Sequence, residues 1–223
     1  MLPWLKTVDS IIRARLLGIM ISCALLAGIL VFVLAVCLAR LTDYLVKVET
    51  GWLDSLINWL AGIVAGLGGW FMLPALIVLI AGVFQEKVID RVEREYYPTE
   101  VRQHEPTLWP DFVHDIRFTL KALFLNILVL PFYLLGVGPV FSIALNSYLL
   151  GREFFESAAG YHLGKPEARR IEQYYKLPVY SGGLIITLIS LVPIVNLFIP
   201  ILAVVWMVHL YHGLLSRASK EGI

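Results

Sequence analysis

Charged residues are absent from four long blocks of the sequence, a distribution that soluble domains do not show. The whole chain of 223 residues is 59% hydrophobic and only 16% charged, against about 25% charged in an ordinary globular domain. A run of about 20 apolar residues is long enough to cross the hydrocarbon layer of a bilayer. We therefore predict an all-α integral membrane protein. In chain order, the uncharged blocks are 16–39, 55–85, 122–151 and 177–216.

The chain also lacks the features of several other protein classes. Its formal net charge is only +1, and no stripe of Lys and Arg alternates with aromatic residues, which excludes a nucleic-acid-binding surface. The two cysteines, Cys23 and Cys37, lie in the first block, roughly 21 Å apart along a helix axis. They cannot form a disulfide within that helix and are predicted to be small core residues.

Motifs for metal or nucleotide chemistry are absent as well. His209, His212 and His162, with Glu153 and Glu156 near His162 in sequence, have the ligand chemistry of a metal site, but no dense Cys/His spacing supports one. Residues 160–165, Gly-Tyr-His-Leu-Gly-Lys, have three residues between the glycines where a phosphate-binding loop has four, and a proline follows the lysine. We predict no catalytic residue, no metal site, no cofactor and no ATP hydrolysis.

Positive charge predicts the orientation. If the third and fourth blocks each return to the side from which they came, all of the 18 Lys and Arg residues except Arg40 and Lys47 lie on one side. Because Lys and Arg concentrate in cytoplasmic loops, that side is predicted to be the cytoplasm. Both termini are then cytoplasmic.

Turn residues divide the last two blocks. Gly136, Gly138 and Pro139 interrupt the third block, and residues 193–196 interrupt the fourth. An arm of about fourteen residues reaches only about 21 Å, less than the hydrocarbon thickness of about 30 Å. We therefore predict two partly inserted, re-entrant helical hairpins, whose turns must be sheltered by protein or water. Ordinary full spans with proline kinks remain the alternative.

These signals predict one membrane domain over residues 1–223. Trp4, Val8, Ile11 and Ile12 form an apolar stripe in the first segment, which is typical of a helix lying in the membrane interface. Pairs of small residues, Ala24 with Gly28 and Gly62 with Gly66, favour a homo-oligomer. The predicted segments are an interfacial helix 1–15, span 16–39, a second span with a cytoplasmic extension 60–97, a cytoplasmic loop 98–116, hairpin 117–159, a cytoplasmic segment 160–176 and hairpin 177–215.

Two stretches resemble the signatures of a known family. Residues 146–156, Asn-Ser-Tyr-Leu-Leu-Gly-Arg-Glu-Phe-Phe-Glu, and residues 192–200 followed by Met-Val-His-Leu at 207–210 are similar to those of the etoposide-induced-protein domain family, whose bacterial members include CysZ-type sulfate permeases. The resemblance implies a bacterial inner-membrane protein with two long spanning helices and two partly inserted hairpins. It also implies a lipid environment, assembly into a dimer or higher homo-oligomer, and sulfate uptake for sulfur assimilation.

An anion site is predicted near the first span. CysZ-type members resemble one another in a Gly-Leu-Arg-Arg or Gly-Ile-Arg-Arg turn, and residues 11–14 here read Ile-Ile-Arg-Ala. Arg13 matches the first arginine of that motif, and Arg15 lies just beyond it. A guanidinium matches a tetrahedral oxyanion, and a helix N-terminus near Asp9 and Ser10 is expected to add positive dipole. The alternative is that both arginines anchor the span at anionic headgroups.

A path through the membrane is predicted at the hairpin turns. Backbone amides that follow a broken helix can face an ion at mid-membrane depth. Polar side chains within the blocks are expected to line the path, unless they bond to neighbouring helices instead. The residues predicted for the path and the turns are Asn126, Gly136, Gly138, Pro139, Asn146, Pro193 and Asn196.

Two functional classes follow. The first is a multi-pass anion permease, with sulfate as the ligand by resemblance. The second is a non-transporting scaffold or adaptor of the same fold, in which residues 85–97 and 151–176 recruit a partner. The uncharged blocks argue against a proton relay, since intramembrane carboxylates usually mark such machines.

Overall fold

The computed structural model describes residues 3–45, 82–99 and 108–221, together with 51, 56, 59, 60, 62, 63 and 80. All the regular structure in these residues is helical, which confirms the all-α prediction. Three of the described helices are long and apolar enough to cross a membrane, over Leu17–Cys37, Val113–Leu134 and Ile199–Arg217. The chain divides into two compact units, one of residues 18–83 and one of residues 1–17 and 84–223.

In the unit of residues 18–83, the described part is mainly helix α2, Leu17–Leu45. The helix contains the predicted span 16–39 and continues beyond it. Most of the membrane part of the predicted second span, and Gly66, lie outside the described residues. Added Cβ atoms at Gly28 and Gly62 would meet no described atom within 4 Å.

The other unit begins with α1, Pro3–Arg13, and includes most of α3, residues 82–96. Helix α1 buries the small polar residues Thr7 and Ser10, and it exposes Leu5, Val8 and Ile12. An exposed apolar stripe opposite a buried polar face fits a helix that lies against lipid. Asp90 and Arg94 form an ion pair on α3, at 2.9 Å.

The first hairpin consists of α4, Leu108–Leu134, and α5, Gly138–Leu163. The two helices extend beyond the predicted hairpin bounds of 117 and 159. Helix α4 begins nine residues earlier, because Pro110 lies in its first turn, where a missing N–H costs nothing. Helix α5 runs through Gly160 and ends before Gly164, whose φ of 78° is left-handed. Residues 100–107 of the predicted loop lie outside the described residues.

Helix α6, Lys165–Tyr174, leads into the second hairpin. That hairpin contains α7, Lys176–Ser190, the single turn α8, Pro193–Asn196, and α9, Ile199–Glu221. Val192 is extended, with φ −86° and ψ 111°, as expected for a residue before proline. The 15 residues of α7 reach about 22 Å, less than a bilayer core.

The core lies between α5, α7 and α9, and two glycines bring α5 and α7 together. A Cβ at Gly151 would lie 2.8 Å from the Val179 carbonyl oxygen, and one at Gly183 would lie 2.7 Å from the Gly151 Cα. Only glycine permits backbones to approach this closely. The large side chains that fill the rest of the core include Phe155, Val179, Val205, Met207 and Val208.

Candidate functional site

The turn after α1 carries the predicted anion-binding residues and has a regular geometry. Arg15 is left-handed, with φ 52°. The Leu16 amide bonds to the Ile11 carbonyl at 3.0 Å, and the Arg15 amide bonds to the Ile12 carbonyl at 3.2 Å. These two bonds define a Schellman motif, the usual way to end a helix, with an arginine where glycine is usual. The turn therefore forms without the glycine of the Gly-Leu-Arg-Arg motif.

This geometry decides which groups can recognise an anion. The amides of Ala14, Arg15 and Leu16 all bond to backbone carbonyls of α1, so they are not available to a ligand. The expected helix N-terminus near Asp9 and Ser10 is also wrong, because α1 begins at Pro3. Arg13 instead lies at the negative end of the helix dipole, a position that stabilises a cation. Recognition at this turn must come from side chains.

Arg13 makes an ion pair that an external anion can replace. Its Nε lies 2.8 Å from Asp9 Oδ2, and its side chain is 61% exposed. Exposed ion pairs of this kind contribute little to folding stability, since water and salt screen the attraction between the charges. The Tyr96 hydroxyl, at 2.7 Å from Asp9 Oδ2, and then Arg13 lower the pKa of Asp9. Asp9 is thus held ionised by two neighbours.

A third arginine joins the turn from α3. Arg91 donates from Nη1 to the Arg15 carbonyl oxygen at 3.1 Å, and the side chains of Arg13, Arg15 and Arg91 are all exposed. We call these three residues the arginine turn. Arg13 and Arg15 lie at the end of α1, Arg91 reaches them from α3, and the carboxylates of Asp9 and Glu95 both act electrostatically on Arg13. Exposed guanidinium groups of this kind suit a tetrahedral oxyanion.

A chain of hydrogen bonds fixes α1 to the core behind the arginine turn. Ser10 Oγ donates to the Lys6 carbonyl oxygen at 2.7 Å and lies 2.8 Å from His209 Nε2, while the Tyr97 hydroxyl lies 2.9 Å from His209 Nδ1. Because the single Ser10 proton is used on Lys6, His209 donates from Nε2 and accepts from Tyr97 at Nδ1. Burial, aided by Glu93, raises the pKa of Tyr97 to about 12, so its hydroxyl keeps the proton that this bond needs. Ser10 thus positions α1 and does not face a ligand.

The hairpin turns are closed and apolar. In the first, the Leu135 and Gly136 amides bond to the Phe132 and Tyr133 carbonyls at 3.2 and 3.1 Å, and Gly136 is left-handed, with φ 75°. Gly138 lies under the Tyr133 ring, and Pro139 occupies the first turn of α5. At the start of α8, the Asn196 amide bonds to the Val192 carbonyl at 2.9 Å. These amides are used within the turns themselves.

The three predicted asparagines lie on three different helices, α4, α5 and α8. Asn126 is exposed and donates to the Ala122 carbonyl oxygen at 2.8 Å, within its own helix. Asn146 is exposed on α5, and Asn196 is half-buried at the end of α8. The Asn126 bond stays within α4, whereas the predicted alternative was a bond to a neighbouring helix.

A buried cluster that the sequence did not predict lies beneath the hydrogen-bonded chain. Glu93 Oε1 is 2.7 Å from His162 Nε2 and 2.9 Å from His212 Nε2, and all three side chains are buried. We call these residues the Glu-His-His cluster. Burial opposes ionisation of Glu93, but the bonds to both histidines outweigh it and lower its pKa.

A second polar group lies further along α5. Glu156 accepts from Arg152 Nε at 2.6 Å, and its other oxygen lies 2.8 Å from His114 Nε2. Arg169 on α6 pairs with Glu172, whose side chain is fully buried. These ion pairs connect α4, α5 and α6, while Glu172 Oε1 is buried without a hydrogen-bond partner among the described residues.

One signal in the sequence could have revealed Glu93. Residues 88, 89, 92, 96 and 97 form the apolar and aromatic face of α3, and Glu93 lies on that same face. A carboxylate on a buried face needs partners. The sequence did not show that these partners lie 69 and 119 residues away.

A family model described as sulfate transporter CysZ/etoposide-induced protein 2.4 matches residues 4–200. The match includes α1, the arginine turn, both hairpin turns and the start of α9. No curated protein and no solved structure matches the chain.

Proposed function

The chain belongs to the sulfate transporter CysZ/etoposide-induced protein 2.4 family, and from that premise we propose that it is a multi-pass membrane permease for a small inorganic oxyanion, with sulfate as the substrate. The observation that carries the proposal is the arginine turn. Arg13 occupies the position of the family motif's first arginine, on a helix that Ser10 and Asp9 fix to the rest of the unit.

The chemistry of the arginine turn supports an oxyanion as the ligand. A sulfate that enters from water can exchange with the Asp9 carboxylate for Arg13, since that ion pair is exposed and weak. Arg15 belongs to the same turn, and Arg91 on α3 adds a guanidinium group that contacts the Arg15 carbonyl oxygen. Because the turn's amides are used internally, we expect binding to depend on salt and on arginine side chains.

The apolar hairpin turns support partial insertion into the bilayer. Leu134 is 91% exposed and Leu135 is 73% exposed, and Leu191 and Val192 at the second turn are exposed as well. Large apolar side chains at a loop tip are unfavourable in water and favourable in lipid. The turn amides are hydrogen-bonded within the turns. This lowers the free-energy cost of placing these backbone groups in lipid.

The proposed mechanism is channel-like. The apolar blocks contain no ionised residue pair that would couple transport to protons, and the chain has no recognisable nucleotide-binding loop. Net uptake would then follow the substrate gradient, maintained by consumption inside the cell. We place the protein in the bacterial inner membrane as a homo-oligomer, because two re-entrant hairpins need neighbouring protein to shelter them.

A flux assay tests this proposal. The purified chain, reconstituted in liposomes, should take up labelled sulfate, and a panel of sulfite, thiosulfate, phosphate and chloride should define selectivity. Arg13→Ala should reduce sulfate flux more than Arg15→Ala, since Arg13 matches the family motif. Arg170→Ala is the matched control, because Arg170 is also an exposed arginine in an ion pair within its own helix, with Glu167 on α6.

The outcomes separate the two functional classes. No flux of any anion through folded, reconstituted protein would refute the permease and favour the adaptor. Full sulfate flux in Arg13→Ala would refute the proposed site alone. The adaptor has less support, because the segments that it needs at the surface bury Glu93, Arg152 and His162.

A further inference from the structure

The Glu-His-His cluster has the ligand set of a metal site, and we propose that it binds one divalent first-row transition-metal ion. Glu93 Oε1, His162 Nε2 and His212 Nε2 all lie within 4.8 Å of one another. Two imidazoles and one carboxylate are a common ligand set for zinc and for non-haem iron. This inference is independent of the proposed transport function.

The distances in the cluster fit an ion after small movements. Ligand bonds of about 2.0–2.2 Å in tetrahedral geometry separate neighbouring ligand atoms by about 3.3 Å. The two Glu93–His distances, 2.7 and 2.9 Å, would lengthen by a few tenths of an ångström, as an ion replaces the two shared protons. The two imidazole nitrogens lie within 4.8 Å of each other, so they would have to approach by up to about 1.5 Å.

Aromatic rings hold both imidazoles in position. The Tyr97 ring stacks on His212, with centroids 3.9 Å apart and planes 20° apart. The Tyr211 ring is nearly parallel to His162, at 5.8 Å and 19°. The three ligands come from α3, α5 and α9, so each is carried by a helix. Ligands fixed in this way lose little freedom when an ion binds.

The neighbouring histidine is excluded from the ligand set. Both ring nitrogens of His209 have partners, Ser10 at Nε2 and Tyr97 at Nδ1. With three protein ligands, a fourth position remains for water or a small anion. The ligand set contains nitrogen and oxygen only, which favours Zn²⁺, Co²⁺ or Fe²⁺ over Cu⁺.

Metal binding by the whole chain tests the proposal directly. The protein should be purified in detergent with a tag that contains no histidine, treated with a chelator, and titrated with Zn²⁺ and Co²⁺. We expect one equivalent of Zn²⁺ to remain after desalting, a rise in melting temperature with Zn²⁺, and the visible absorption of four- or five-coordinate Co²⁺. These three readouts need no variant.

Variants then assign the ion to the cluster. Glu93→Gln and His212→Gln should weaken Zn²⁺ binding by at least roughly 10–100-fold. That is the loss in metal affinity when a residue that only orients a metal ligand is removed. His209→Gln and His114→Gln should retain one equivalent, since neither residue belongs to the cluster. Wild type that takes up no Zn²⁺, or retention of the full equivalent by folded Glu93→Gln, would overturn the proposal.

Discussion

Ser10 on α1 and His209 on α9 share a buried hydrogen bond of 2.8 Å, although 199 residues separate them in the chain. The bond continues through His209 to the Tyr97 hydroxyl. It fixes the helix that ends in the arginine turn to the most buried part of the unit. The position of Arg13 therefore depends on residues of α3 and α9, far from it in sequence.

Ser10→Ala should loosen α1. The substitution removes the acceptor of His209 Nε2 and leaves a buried donor without a partner, at a cost of about 1–3 kcal/mol. Thermal unfolding in detergent should show a lower melting temperature. Ser181→Ala is the control, because Ser181 is exposed and donates to the Pro178 carbonyl oxygen of its own helix. Equal melting temperatures for the two variants would contradict a positioning role for Ser10.

Gly183→Ala should disrupt the crossing of α5 and α7. The new methyl group would lie 2.7 Å from the Gly151 Cα and against the Ser147 carbonyl oxygen. Both obstacles are backbone atoms, so the helices must separate, at a cost of about 1–3 kcal/mol or more.

Gly213→Ala provides the opposite case on α9. A Cβ there would meet no described atom within 4 Å, so the better helix propensity of alanine should stabilise the protein by about 0.5–1 kcal/mol. Melting temperatures should move in opposite directions. A stable, correctly folded Gly183→Ala protein would show that the helices do not meet as described.

The sequence predicted the features whose causes are local. Gly136, Pro139 and Pro193 restrict the backbone within a few residues, and the structure has its helix breaks at those positions. The start of α4 was misplaced because Pro110 breaks a helix in its interior but not in its first turn.

Features that depend on distant partners could not be predicted in the same way. Nothing near Glu93 in sequence indicates that His162 and His212 meet it. Helix α4 separates Glu93 from the helix of His162, and α4 to α8 separate it from the helix of His212. The contact of Gly151 with Gly183 could not be predicted from the sequence either. Small residues are common in apolar helices, and only the packing of α5 against α7 determines which of them meet. The predicted anion residues are local, but the dipole argument failed because α1 begins at Pro3, in agreement with its predicted bounds of 1–15, so that no helix N-terminus lies near Asp9 and Ser10.

Arg15→Gly should stabilise the turn after α1. A left-handed conformation costs an arginine about 1 kcal/mol relative to glycine, and the φ of 52° at Arg15 requires it. Arg13→Gly is the comparison, since Arg13 is helical and glycine there should destabilise by up to about 1 kcal/mol. Chemical denaturation of both variants measures the difference. Destabilisation of equal size in both would mean that Arg15 is not left-handed in solution.

Tyr96→Phe should change how stability depends on acid. The Tyr96 hydroxyl lowers the pKa of Asp9 below its ordinary 3.8. A carboxyl whose pKa is lower in the folded state adds stability above its unfolded pKa, and this stability is lost as the pH falls through the folded value. The wild type should therefore have a higher melting temperature than Tyr96→Phe at neutral pH. The difference between the two melting temperatures should decrease below pH 3.8. Tyr174→Phe, at an exposed tyrosine, should show no such dependence. A gap that stays constant with pH would mean that Tyr96 stabilises α1 by packing, without acting on the charge of Asp9.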